Sequence, residues 1–121
     1  MPGSITPLIP VPDVRATADW YRDLGFVLTG FRNLDEAWSW ARLTMGDGAV
    51  MFCAGGRVSD AHRREVDLYV GVDEDLDALF ESLKDRVEVF EPPHDTDYGM
   101  REFIIRDLNR FWITFGQPIA T

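Results

Sequence analysis

The sequence predicts an α+β chain made of two tandem βαβββ modules. Two observations carry this. Apolar residues switch between a period of two and helical spacing, in the order strand, helix, strand, strand, strand. That order then runs a second time. Ile5, Ile9 and Val11 align with Val66, Val70 and Val72 at an offset of 61, and Val14, Thr17, Ala18 and Tyr21 align with Leu76, Leu79, Phe80 and Leu83 at an offset of 62. One residue inserted before the second helix accounts for the difference, so the repeat is an internal duplication.

The elements follow in order. Ile5 to Val11 alternates, and Pro7 and Pro10 push this strand to a sheet edge because they lack an N–H to donate. Asp13 is a good N-cap for a helix whose apolar positions are Val14, Thr17, Ala18 and Tyr21, and Gly25 stops it. "FVLTGFRN" and "AWSWARLTM" read as strands, "GDG" as a tight turn and "AVMFCAG" as the last strand of the module. "GGRVSDAHRRE" is polar and glycine-bearing, so it is the linker. "EVDLYVGV" alternates again, with Asp67, Tyr69 and Gly71 on one side. "DEDLDALFESLKD" carries acid in its first turn and an apolar stripe of Leu76, Leu79, Phe80 and Leu83. "RVEVFEPP" is a strand ended by prolines, "MREFIIRD" another, "LNR" a turn, and "FWITFGQ" closes the unit.

A chain of 121 residues has the size of one domain. The expected layout is a single domain over 1–121, with module 1 at about 4–57, a linker at about 55–64 and module 2 at about 65–117. Hydrophobic residues at 45% and charged residues at 27% suit a soluble protein. No apolar run reaches the roughly 18–20 residues that span a bilayer, and the first residues lack a basic, then apolar, signal pattern. No membrane role is expected. Cys53 is the one cysteine, so no internal disulfide forms, which fits a reducing cytoplasm. A formal charge of −9 repels phosphate backbones and argues against nucleic acid, while it would attract a cationic ligand.

The stretches "ITPLIPVPDVRATADWYRDLGF" and "YGMREFIIRDLNRFWITFGQ" resemble the vicinal oxygen chelate superfamily, which includes glyoxalase I, extradiol dioxygenases and the fosfomycin and bleomycin resistance proteins. The resemblance spans about residue 4 to residue 117. It implies the glyoxalase/bleomycin resistance fold, two βαβββ modules forming a curved mixed sheet around a cavity, often completed by a homodimer. The family hairpin usually reads Asp-Pro-Asp-Gly. Here it reads Asp107-Leu108-Asn109-Arg110, and Asn109 is expected to take the left-handed position.

Metal-dependent members hold a divalent ion at four cavity-facing positions. By distance from matched residues these fall on Thr6, Asp67, Thr114 and Met51, the last being uncertain by one residue against Phe52. Two hydroxyls and a thioether around one carboxylate hold such an ion poorly. His62 and His94 both read as loop residues. No metal and no other cofactor is expected. Cys53 reads as a small buried hydrophobe.

The same mapping places Glu102 and Ile104 on the cavity wall, with Met100 on the same face and Phe103 and Ile105 under the helices. Glu102 has three open roles: a structural ion pair, ligand recognition, or general-base catalysis. Parity sends Trp38, Trp40 and Arg42 towards the cavity and Leu43 under the helix, and it puts Trp112 and Thr114 on the cavity face. Tryptophans on a concave sheet offer stacking surfaces for planar groups. The candidate ligand-binding set is therefore Trp38, Trp40, Met51, Asp67, Tyr69, Met100, Glu102, Ile104, Trp112 and Thr114. No catalytic set is assigned.

Three functions fit these residues. The first is a metal-free, homodimeric binding protein of the bleomycin resistance type that sequesters a partly cationic or aromatic small molecule. The second is a glyoxalase- or dioxygenase-type enzyme with an altered metal site, Asp67 as its ligand and Glu102 as base. The third is a carrier or regulator that binds a metabolite.

Overall fold

The computed structural model describes residues 3–60 and 62–119. The chain divides between Val58 and Ser59 into two units. Each holds one α-helix and one four-stranded mixed sheet, giving the predicted α+β class.

Unit 1 runs β1 (Leu8–Pro10), α1 (Val14–Leu24), β2 (Val27–Leu34), β3 (Ala37–Met45) and β4 (Gly48–Cys53). Its sheet order is β1-β4-β3-β2, with β1 parallel to β4 and the other pairs antiparallel. The first strand is shorter than its alternation suggests. Ile5 is 96% exposed, and pairing begins where Met51 N donates to Pro7 O at 2.8 Å. The prolines are tolerated because β1 is an edge strand with a single neighbour. Helix α1 starts as read: Asp13 accepts from Ala16 N at 3.0 Å, satisfying one free donor of the first turn. It stops at Gly25, which at φ 120° takes the left-handed cap that a side chain would resist. Val14, Ala18 and Tyr21 pack onto Ala41, Leu43, Val50 and Phe52, all buried. The Tyr21 ring lies 4.9 Å from Phe52 and 5.2 Å from Phe26. Each large side chain so buried contributes about 1.5–3 kcal/mol.

Unit 2 runs β5 (Asp67–Gly71), α2 (Leu76–Leu83), β6 (Glu88–Asp95), β7 (Met100–Arg106) and β8 (Trp112–Pro118), in sheet order β5-β8-β7-β6. Asp75 caps α2, accepting from Asp77 N at 3.0 Å and Ala78 N at 3.3 Å. Phe80 meets Phe103 at 5.2 Å, and Phe103 stacks on Phe115 at 4.7 Å, so the helix side of this sheet is aromatic. Gln117 ties the sheet to the helix: its Oε1 accepts from Leu76 N at 3.1 Å. Strand β6 does not end at its prolines but runs through Pro92 and Pro93 to Asp95, because it too is an edge strand and its register slips there. His94 is consequently a strand residue and not a loop one.

The β7–β8 hairpin also differs from expectation. Arg110, not Asn109, takes the left-handed position at φ 63°. Asp107 fixes this turn, accepting from Asn109 N at 2.7 Å and Phe111 N at 3.0 Å on one buried carboxylate oxygen. The loop is a type I turn closed by Arg110 N donating to Asp107 O, followed by the left-handed residue that a three-residue hairpin loop places last, and Arg110 holds that position. No helix among the described residues is long and apolar enough to cross a membrane.

Candidate functional site

Residues paired across neighbouring strands share a face, so the registers place the candidates. In unit 2 the face away from α2 carries three rows. The first is Asp67, Trp112, Arg106 and Glu88; the second is Tyr69, Thr114, Ile104 and Glu91; the third is Gly71, Gly116, Glu102 and His94. Seven of the named residues therefore lie on one face: Asp67, Tyr69, Met100, Glu102, Ile104, Trp112 and Thr114. Met100 is half-buried two positions before Glu102, opposite Pro118.

Glu102 is 3% exposed and accepts two phenol hydrogen bonds. Tyr69 Oη donates to Oε2 and Tyr98 Oη to Oε1, each at 2.7 Å. Glycine makes the first of these possible. A Cβ on Gly116 would stand 1.9 Å from the Tyr69 hydroxyl, so the phenol crosses β8 only because that position has no side chain. Burial and then the bond to Glu102 raise the Tyr69 pKa above the usual phenol value, since ionising it would set a second anion beside the carboxylate. The bond to Glu102, more than burial, raises Tyr98 in the same way. His94 stands across the strand pair but turns elsewhere. Its Nδ1 lies 2.9 Å from Pro92 O, and its Nε2 is 3.4 Å from Glu91 Oε2.

Two of the other three carboxylates on this face meet arginines. Arg64 Nε donates to Asp67 Oδ2 at 2.8 Å, its terminal nitrogen bonds the same oxygen, and Thr114 Oγ1 donates to Asp67 Oδ1 at 3.0 Å. Glu88 accepts from Arg110 at 3.0 Å and lies 3.5 Å from Arg106 Nε. Among the described residues no cation reaches Glu102 in this way. Of the three roles left open for it, the structural ion pair is thus absent among those residues.

Trp112 is enclosed by its neighbours. The Arg64 guanidinium stands 4.6 Å and the Arg106 guanidinium 5.6 Å from its ring centre, and Phe90 packs on it at 4.4 Å. Its Nε1 is buried with no hydrogen-bond partner among the described residues.

In unit 1 the face away from α1 carries the rows Leu8, Met51, Arg42, Gly30 and Pro10, Cys53, Trp40, Arg32. Met51 belongs to this face, and Phe52, wholly buried, to the helix side, which settles their register. Trp40 lies flat against Gly30, where a Cβ would come within 3.0 Å of its ring. Cys53 is half-exposed beside Trp40 and not a core hydrophobe.

Trp38 is not on this face. The β2–β3 register shifts between Arg32 and Asn33, leaving Ser39 as an extra residue in β3. A bulge of one residue reverses the alternation beyond it. Trp38 is thereby turned to the helix side, stacked on Phe31 at 4.4 Å and 13°, with the Arg15 guanidinium of α1 5.4 Å from its ring centre. Simple parity, which ignores bulges, assigned it to the wrong face.

The metal positions do not fit a divalent ion. Thr6 and Met51 are a hydroxyl and a thioether in unit 1, and Asp67 is already engaged by Arg64 and Thr114. No group of three His, Cys, Asp or Glu gathers among the described residues. A depression of about 800 Å³ lined by Asp19, Arg22, Asp23, Phe26, Val27 and Leu28 contains none of the candidates.

Sequence reasoning missed Arg64, Phe90 and Tyr98. Arg64 sits in the linker and Tyr98 in a hairpin loop, where periodicity carries no information. Phe90 stands at a register slip in β6.

The architecture and the residue pattern both match known proteins. The model of the Glyoxalase/Bleomycin resistance protein/Dioxygenase superfamily matches residues 4–115. The chain belongs to this superfamily. TioX from Micromonospora sp. ML1 is a similar solved structure, with 25% identity over 98% of each chain and a TM-score of 0.73. The bleomycin resistance determinant encoded on transposon Tn5 shares the fold at 21% identity, over 98% of this chain and 100% of that one, with a TM-score of 0.72. A glyoxylase/bleomycin resistance protein/dioxygenase domain from Frankia sp. EAN1pec does so at 19% identity, over 98% and 99%, with a TM-score of 0.76. No protein of curated function matches the sequence. Of the four positions mapped for a metal, three hold a hydroxyl or a thioether, Thr6, Met51 and Thr114, and only Asp67 is a carboxylate.

Proposed function

We propose that this superfamily member is a cytoplasmic small-molecule-binding protein of the bleomycin resistance type, working without a metal and sequestering a partly cationic, aromatic ligand. The observation that carries the reading is Glu102, a buried carboxylate answered, among the described residues, only by two neutral phenols. An anion out of water with no counter-charge is costly. A carboxylate has about four acceptor sites, and two phenols leave capacity for a ligand N–H. A cation donating there supplies the missing charge, and Trp112 stands on the same face of unit 2 as an aromatic neighbour. The reading includes a homodimer, supported by Val27, Phe31 and Leu34, which are exposed apolar side chains on the edge strand β2.

The test is a thermal-shift screen of cationic aromatic compounds, followed by calorimetry on the hits. Glu102→Gln keeps the shape, removes the charge and should weaken a hit by about tenfold or more. Metal content after soaking in nickel, zinc, manganese and ferrous iron should stay below about a tenth of an equivalent. Near one equivalent per chain, or hits indifferent to Glu102→Gln, would defeat the proposal. Light scattering reads the dimer directly.

A further inference from the structure

We propose that the corner of unit 2 formed by Trp112, Asp67 and Thr114 is a planar-cation site, occupied in the free protein by Arg64 and taken over by a guanidinium or amidinium group of the ligand. This deepens the binding reading above and rests on it.

The site recognises a planar cation in two ways at once. Trp112 presents its ring to the guanidinium of Arg64 at 4.6 Å. Asp67 accepts from two nitrogens of that guanidinium on a single oxygen, while Thr114 Oγ1 holds the other oxygen at 3.0 Å. A flat, delocalised cation suits this pairing of π face and carboxylate, whereas a compact ammonium would satisfy the carboxylate and forgo the stack. The receiving groups stand on strands, Asp67 opening β5 and Trp112 and Thr114 on β8, adjacent by register. Phe90, at 4.4 Å, helps fix the tryptophan ring.

The occupant is of a different kind. Arg64 precedes β5, outside any helix or strand, and its side chain is 58% exposed. An ion pair that open is weak, because water screens it, so the guanidinium is displaceable. A receiver built on strands with an exposed, tethered occupant is the arrangement of a self-competing site. The apparent affinity for an incoming cation is lowered by the fraction of time that Arg64 is out of the way.

Benzamidine is a suitable probe, with benzamide as its neutral counterpart of like shape. Both are titrated into the full chain and into Arg64→Ala, followed by calorimetry and by the NMR signal of the Trp112 indole. Arg64→Ala should bind benzamidine about fivefold tighter than wild type, which corresponds to an Arg64 occupancy of about 80%. Benzamide should bind neither. Adding Asp67→Asn to Arg64→Ala should abolish the gain, and adding Trp112→Phe should reduce it. Melting curves verify that each variant is folded, and if the Asp67→Asn double variant is not, the Trp112→Phe one decides. Arg64→Ala binding benzamidine no tighter than wild type, equal binding of benzamide, or a gain indifferent to the second substitution would each overturn the inference. A failure here alongside a Glu102-dependent hit from the screen removes only the Arg64 assignment. Failure of both removes the binding reading as well.

Discussion

The open faces of the two units rest on the same strand order and carry different chemistry. That of unit 1 holds Trp40, Met51, Cys53, Arg32 and Arg42, with no carboxylate in its paired rows. That of unit 2 holds Asp67, Glu88, Glu91 and Glu102, two of them matched by arginines and one by tyrosines. The helix-facing sides, by contrast, are apolar in both. Each unit must bury one face to fold, so that face is constrained, while the other is free to take on polar chemistry wherever partners satisfy it. A duplicated fold thus repeats its core and need not repeat its site.

Two glycines separate fold from site most sharply. A Cβ on Gly56 in unit 1 would lie 2.2 Å from the Pro10 carbonyl carbon and oxygen, and backbone cannot swing aside. Gly56→Ala should therefore cost about 3 kcal/mol in urea denaturation. Gly116→Ala in unit 2 meets only the end of the Tyr69 side chain, so it should cost about 1 kcal/mol but break the Tyr69–Glu102 bond and weaken ligand binding about tenfold. Equal losses of stability would mean that the two glycines act alike.

The tryptophans of β3 test the bulge. Trp38→Ala removes a stacked ring from the helix side and should cost about 2 kcal/mol with ligand affinity kept. Trp40→Ala, on the open face, should cost less, about 1 kcal/mol. A Trp38 variant that loses ligand at full stability would place that ring back on the open face.

A spectrophotometric titration examines the tyrosine pair. Both phenols are raised in the folded state, so they keep their protons where the unfolded chain, with values near 10, has begun to lose them. The stability from these bonds is therefore whole below about pH 10 and falls as pH rises further through the folded values. In Glu102→Gln the Tyr98 midpoint should drop most, because its bond to Glu102 is the chief cause of its rise, whereas burial still holds Tyr69 up. An unchanged Tyr98 titration would show that the bond is not formed in solution.

The smallest effect belongs to the β7–β8 turn. Arg110→Gly relieves a side chain at φ 63° and gives up an exposed ion pair to Glu88, for a net gain of about 0.5 kcal/mol by denaturation. A loss of stability would assign the turn to that ion pair instead.

Much of this was legible in the residues. The period switches of Val14, Thr17, Ala18 and Tyr21, and of Phe103 and Ile105, located helices, strands and core, because burying one face is a local, repeating demand. Asp13 and Gly25 marked the ends of α1 through backbone bonding that involves only neighbours in sequence. Seven of the ten candidate side chains fell on one face of unit 2 for the same reason. Trp38 went astray because a bulge is decided by pairing with β2, and nothing in "AWSWARLTM" announces it.

Sequence by itself determined the α+β class, the duplication, the helix caps and which side of most strands is apolar, since these follow from chain-local periodicity and capping chemistry. Only the tertiary structure decided how the charges are answered. It gave Asp67 to Arg64, Glu88 to Arg106 and Arg110, and Glu102 to Tyr69 and Tyr98. Most of those partners come from other strands and loops, within a few ångströms only after the sheet has paired, and short-range electrostatics and hydrogen bonding act only at such distances.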